Sequence, residues 1–111
     1  MPQQSTIFAK RLQAARRAKS LTQEQLGVLT GMDELSASAR MNQYERGKHW
    51  PHYSTVEKLA QVLGVPAAYF YAGSESEAEM LVLFHQLGSE EQVRFMELLR
   101  SAVSERQNFN A

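Results

Sequence analysis

Between residues 38 and 49 the chain carries a dense set of hydrogen-bonding side chains: Ser38, Arg40, Asn42, Gln43, Arg46, Lys48 and His49. Such groups suit base edges and phosphates. The amides of Asn42 and Gln43 can each pair bidentately with adenine, Arg40 can take O6 and N7 of guanine or a phosphate, and Ala39 can touch a thymine methyl. If the segment is helical, Met41 and Tyr44 form its buried stripe, and residues 38, 39, 40, 42 and 43 lie off it. An ordinary solvated polar face has the same composition, so nucleic-acid chemistry here needs support from the rest of the chain.

Other chemistries find little to hold. His49, His52 and His85 have no spacing typical of a zinc site, the chain has no cysteine, and no glycine-rich phosphate loop follows a strand. Neither a disulfide framework nor a thiolate metal site can form. No enzymatic activity, metal or cofactor is expected. His85, on an apolar helix, reads as a half-buried or interface histidine.

The formal net charge of zero hides a division. Residues 1–53 hold eight basic side chains against four acidic ones, whereas residues 54–111 hold four against eight. A basic working half and an acidic half that faces elsewhere would look like this, because phosphate contacts need lysine and arginine.

The elements that must position these residues are well marked. Capping boxes can be read at Thr22 with Gln25, Ser54 with Glu57, Ser74 with Glu77 and Ser89 with Gln92. Gly64, Gly73 and Gly88 each follow an apolar or small residue where a left-handed residue would end a helix, and Pro66 fits a first helical turn. The chain is therefore expected to be all-α, with helices over residues 6–19, 22–30, 37–46, 55–63, 66–72, 76–87 and 90–106. Apolar residues at three- and four-residue intervals mark the core: Phe8 and Leu12, Leu26 and Leu29, Met41 and Tyr44, then Val56, Leu59, Ala60 and Leu63. Leu21, Val65, Tyr69 and Phe70 are expected to close the globule. The small, acidic stretch from Gly73 to Glu77 reads as a short linker to a helical hairpin, with stripes at Met80, Leu81, Phe84, Leu87 and at Val93, Met96, Leu99, Val103.

With its elements in place, the run from Leu21-Thr22-Gln23 through Gly27 and Gly31 to Tyr44-Glu45-Arg46-Gly47-Lys48 and Pro51 resembles the helix-turn-helix of the Cro/C1-type (XRE-family) DNA-binding domains. The resemblance covers roughly residues 5–72. It implies a five-helix lambda-repressor-like domain over residues 1–73, followed by the helical hairpin over 74–111. It also implies a sequence-specific transcriptional regulator, typically a repressor, whose recognition helix at about 37–46 lies in a major groove of double-stranded DNA. Counted back from Glu45, the family's base-reading positions fall on Ser38, Ala39, Asn42 and Gln43, with Arg40 at the adjacent edge. Phosphate contacts are expected from Gln23 at the start of the second helix, from Arg46, Lys48 and His49 after the third, and from Arg11, with Lys10 beside it. Arg16 and Glu45 take the places of a partly buried ion pair that joins the first and third helices. Trp50 and His52 could lie against the sugar-phosphate backbone, but packing of Trp50 beside Pro51 is the favoured expectation.

One stretch departs from the pattern. About four extra residues, Asp33-Glu34-Leu35-Ser36, separate Gly31 from the third helix, so a longer turn, or an extra helical turn capped by Asp33, is expected. The two carboxylates should point away from DNA phosphates.

A two-helix hairpin has too little core to stand alone, so residues 74–111 must pack on the first domain or on a second copy. A homodimer would place two reading heads one DNA turn apart, about 34 Å. An antitoxin whose tail holds a partner protein, or an adaptor that keeps the fold without the DNA site, would share the same core. No span of about 18 apolar residues occurs, and the first six residues lack signal-peptide features. A cytoplasmic protein of bacterial or phage type, with no membrane partner and no small-molecule effector, is expected.

Overall fold

The computed structural model describes residues 6–110; residues 1–5, read above for targeting features, lie outside them, as does Ala111. Among the described residues are six α-helices: α1 (Ile7–Ala18), α2 (Gln23–Leu29), α3 (Glu34–Glu45), α4 (Tyr53–Leu63), α5 (Glu75–Gln86) and α6 (Ser89–Asn110). A 3₁₀ segment, Ala67–Tyr71, stands where a fifth α-helix was expected. No helix among the described residues is long and apolar enough to cross a membrane.

Local chemistry sets most of these boundaries. Thr6 caps α1 by accepting from the Ala9 N–H at 3.0 Å. At α2 the expected capping box is complete: the Gln25 N–H reaches the Thr22 hydroxyl at 3.0 Å, and the Thr22 N–H reaches Gln25 Oε1 at 2.8 Å. Ser74 caps α5 through the Glu77 N–H at 3.1 Å. The boxes at Ser54 and Ser89 do not form. Helix α4 begins at Tyr53 directly behind Pro51-His52 and has no side-chain cap; α6 begins at Ser89, where Glu91 Oε1 accepts from the Gly88 N–H at 2.9 Å.

Helices α1, α2 and α3 share one way of stopping. In α2 the Met32 N–H returns to Gly27 O and the Gly31 N–H to Val28 O, both at 2.9 Å; Lys48 and Gly47 repeat the pattern after α3, and Leu21 and Ser20 after α1. The pivot residue is left-handed each time, with φ of 99° at Gly31, 74° at Gly47 and 58° at Ser20, a position whose role the serine conceals in the sequence. Gly64 is left-handed as expected, at φ 72°, whereas Gly73 and Gly88 are not; α5 ends on Leu87 in an extended conformation.

The core sits where α1, α2, α3, α4 and the 3₁₀ segment converge: Phe8, Leu12, Leu26, Met41, Val56, Leu59 and Phe70 are nearly or fully buried. Each such side chain contributes roughly 1.5–3 kcal/mol on burial. Two residues depart from the expected stripe. Leu29 is 58% exposed at the outer end of α2, while Met32 is buried, because the returning turn after Gly31 carries its side chain back under the helix.

The stretch expected to be a linker is clamped. Arg11, on α1, donates to Ala72 O at 3.0 Å, to Ser74 O at 3.1 Å and to Glu75 Oε2 at 2.9 Å. Ala78 is buried and Val82 packs on the core, so α5 docks through these two positions and leaves Met80 and Leu83 outside. Helix α6 turns away from this body. It is tied to α5 at their junction, through Gln92 Nε2 on Phe84 O at 2.9 Å and the Phe84–Phe95 ring pair at 5.8 Å. Beyond that junction Leu98, Leu99 and Val103 are exposed.

Candidate nucleic-acid interface

Two helices can present a shared surface only if their separation and angle are held. A Cβ built on Gly27 would stand 2.7 Å from Ala37 Cβ and 3.1 Å from Ala37 O, so α2 and α3 cross in contact that no side chain at 27 permits. The second constraint is polar. Glu45, with its side chain 1% exposed, accepts from Arg16 Nε at 2.6 Å and Nη2 at 3.0 Å, and from Gln23 Nε2 at 3.1 Å. Arg16 also donates from Nη1 to Leu21 O at 2.8 Å, so one guanidinium ties α1, the start of α2 and the end of α3. A buried carboxylate needs this full complement, since its lone pairs lose water on burial.

The network ends at the surface. Gln23 Nε2 also reaches Asn42 Oδ1 at 3.3 Å, which turns the carbonyl of Asn42 inward and leaves its NH₂ group as an outward donor. Helical rotation of about 100° per residue then arranges α3. Ala37, Met41, Tyr44 and Glu45 are buried, and Ser38, Ala39 and Gln43 are exposed beside the half-buried Asn42. Arg40 sits at the edge of this face, its Nη2 3.3 Å from the Tyr44 hydroxyl. After the left-handed Gly47 the loop exposes Lys48, His49 and Trp50.

The inserted residues extend the helix and not the turn. Helix α3 starts at Glu34, three residues earlier than expected, with Asp33 as its cap: Oδ2 accepts from the Leu35 N–H at 3.1 Å. None of Glu34 to Ala37 is glycine or proline, and propagation adds one hydrogen bond per ordered residue, so winding the insertion is cheaper than ordering it as a loop. The Asp33 carboxylate is spent on capping. Glu34 lines a shallow groove with Glu24, Gln25 and Val28 of α2.

Residues 7–69 match the family model described as a helix-turn-helix domain. The chain belongs to the helix-turn-helix domain family. It is an XRE-like member, as the spacing of Leu21-Thr22-Gln23 and Tyr44-Glu45-Arg46-Gly47 implied. Among solved structures, the crystal structure of the transcriptional regulator BswR is 49% identical, with a TM-score of 0.75, and the match covers 85% of this chain and 96% of that one. No curated protein matches the sequence.

Within the helix-turn-helix domain the expected site residues separate into two groups. Ser38, Ala39, Asn42 and Gln43 share the open face of α3, with Arg46, Lys48 and His49 exposed at its C-terminal end. Gln23 is half-buried beside them; its side-chain nitrogen is committed to α3, leaving Oε1 and the free first-turn N–H groups of α2 for a phosphate. Arg11 does not belong to this surface. It is buried, its guanidinium is held by Ala72, Ser74 and Glu75, and it lies 5.9 Å from the Tyr69 ring centroid, so it serves the junction with α5. Its sequence neighbourhood of basic residues conceals this, because the partners lie more than sixty positions away.

Trp50 is 68% exposed, so packing beside Pro51 does not bury it. One surface residue was not singled out from sequence for the position it holds. Leu35 is 96% exposed in the first turn of α3. Once the insertion is known to be helical, its four-residue spacing from Ala39 is the signal that would have found it.

Proposed function

We propose that the protein is a sequence-specific DNA-binding transcriptional regulator that represses by occupying a promoter, with α3 in the major groove. The observation that supports this is the Arg16–Glu45–Gln23–Asn42 chain of hydrogen bonds, which fixes the Asn42 amide relative to the start of α2. Preset donors on a rigid helix give discrimination, each good bidentate pair contributing about 1–3 kcal/mol. In this reading Ser38, Ala39, Asn42 and Gln43 face base edges, Arg40 reaches a base or a flanking phosphate, and Gln23, Arg46, Lys48, His49 and Trp50 hold the backbone.

The regulator acts as a homodimer through residues 74–111. The exposed Leu98, Leu99 and Val103 of α6, and the open apolar groove that Met80, Leu83, Phe84, Leu87 and Phe95 line, support a second copy as the cover of this surface. The 22-residue α6 and a long dimension of 58 Å against a short one of 23 Å also favour partnering outside the chain. Two reading heads then meet a pseudo-palindromic operator.

Selection of bound duplexes from a random pool tests the proposal. A specific binder returns a two-half-site consensus, and its affinity falls steeply with salt, while Gln43→Ala and Arg40→Ala weaken the consensus complex with an unchanged melt. Absence of any enriched sequence would overturn it and favour an adaptor; co-purification of a small toxic neighbour would favour a DNA-binding antitoxin.

A further inference from the structure

We infer that Leu35 is a specificity residue, reading the 5-methyl group of a thymine beyond the base pairs that Ser38, Ala39 and Asn42 can reach; this rests on the DNA-binding reading above. The first support is register. At about 100° per residue, Leu35 lies within about 40° of Ala39 and about 20° of Asn42 and Arg46, on the side of α3 opposite Ala37 and Tyr44. It therefore continues the outward stripe of the recognition helix by one turn toward the N-terminus, the end whose residues contact base edges in helix-turn-helix complexes.

The second support is length. The three residues added before 37 advance the helix by about 4.5 Å, more than one base-pair step of about 3.4 Å, so Leu35 meets a base pair that a helix starting at residue 37 would leave unread. The third is chemistry. At 96% exposure Leu35 is the most exposed large apolar side chain among the described residues, and the core makes no use of it. A branched aliphatic group in a major groove has one apolar base feature to meet, the thymine methyl. Of the neighbouring carboxylates, Asp33 is turned onto the Leu35 N–H, and Glu34, about 100° around the helix from Leu35 and one turn before Ser38, lines the groove with α2.

The test uses the full chain and the operator that the selection returns. Each thymine of one half-site is replaced singly by deoxyuridine, which removes only the methyl, and affinities are measured for wild type, Leu35→Ala and Asn42→Ala. Wild type should lose about fourfold to tenfold at one thymine on the outer side of the Asn42-sensitive positions. Leu35→Ala should bind the thymine and deoxyuridine operators alike, while Asn42→Ala keeps the difference. Three results would overturn the inference: no thymine whose methyl effect depends on Leu35, an equal loss on specific and random DNA, or a change in sedimentation that makes Leu35 a protein contact. An operator that depends on Asn42 and Gln43 but not on Leu35 would remove only the leucine's role, whereas failure to select any operator would remove the DNA-binding reading with it. Alanine at an exposed helical position favours the helix, so a preserved melt is the expected control.

Discussion

Arg16 and Glu45 are twenty-nine residues apart in sequence and 2.6 Å apart in space, and the carboxylate of this pair is almost wholly buried. The pair joins α1, which precedes the helix-turn-helix, to the last turn of α3. Removing the arginine leaves an uncompensated buried charge, so Arg16→Ala should cost on the order of 3 kcal/mol. Arg16→Lys should recover only part of that, because a lysine cannot supply the two-nitrogen fork together with the Leu21 contact. Thermal melts at constant salt check this, and a variant as stable as wild type would remove the strut from the argument.

Arg11 was the basic residue most easily mistaken for a phosphate contact. Its three acceptors lie around the start of α5, and the loss of hydrogen bonds to a charged donor should cost Arg11→Ala about 2–3 kcal/mol. Its effect on DNA should be indirect: at a temperature where the variant is folded, the dependence of log K on log salt keeps its slope. Lys48→Ala, by contrast, should make that slope shallower by about one unit. A shallower slope for Arg11→Ala would return it to the DNA surface.

Gly27 sets the distance between α2 and α3. The Cβ of Gly27→Ala must displace Ala37, and overpacking of this kind costs about 1–3 kcal/mol. Because Asn42 is oriented from α2 through Gln23, discrimination between operator and random DNA should fall along with stability. Ala37→Gly in the same chain should restore part of both, since the nearest clashing atom is gone while the Ala37 carbonyl remains close. Denaturant unfolding and competition gel shifts measure the two effects; strictly additive losses would show that the contact is not shared.

The apolar run of α6 gives a separate expectation. Leu99→Glu with Val103→Glu places two carboxylates in the proposed interface without touching the core, so the first domain should melt as before while sedimentation shifts from dimer to monomer. Affinity for a two-half-site operator should then fall at least about tenfold, through lost effective concentration. An unchanged sedimentation coefficient would mean that α6 is not the dimer contact.

Much of the helix-turn-helix domain was legible because its signals are local. Thr22 with Gln25, Gly31, Gly47 and Gly64 act within five residues of themselves, and Leu12, Leu26, Met41 and Leu59 repeat with the helical period whatever they later touch. Local signals also misled. Ser54 and Ser89 each have an acidic or amide residue three positions on, yet each helix had already started when the chain reached them, so no free N–H groups awaited the hydroxyls.

The sequence by itself determined an all-helical helix-turn-helix domain, because residue type and spacing along a helix decide capping, amphipathicity and motif order; the pairing of Arg16 with Glu45 came from the family resemblance. Only the tertiary structure decided what the long-range partners do. It tied Arg11 to Ala72 and Glu75, buried Met32 in place of Leu29, wound the insertion into α3 and so exposed Leu35 on the outward side of that helix. The physical reason is that a charged or apolar side chain takes its lowest free energy from whichever groups the completed fold brings within contact distance, and no window of the sequence contains them.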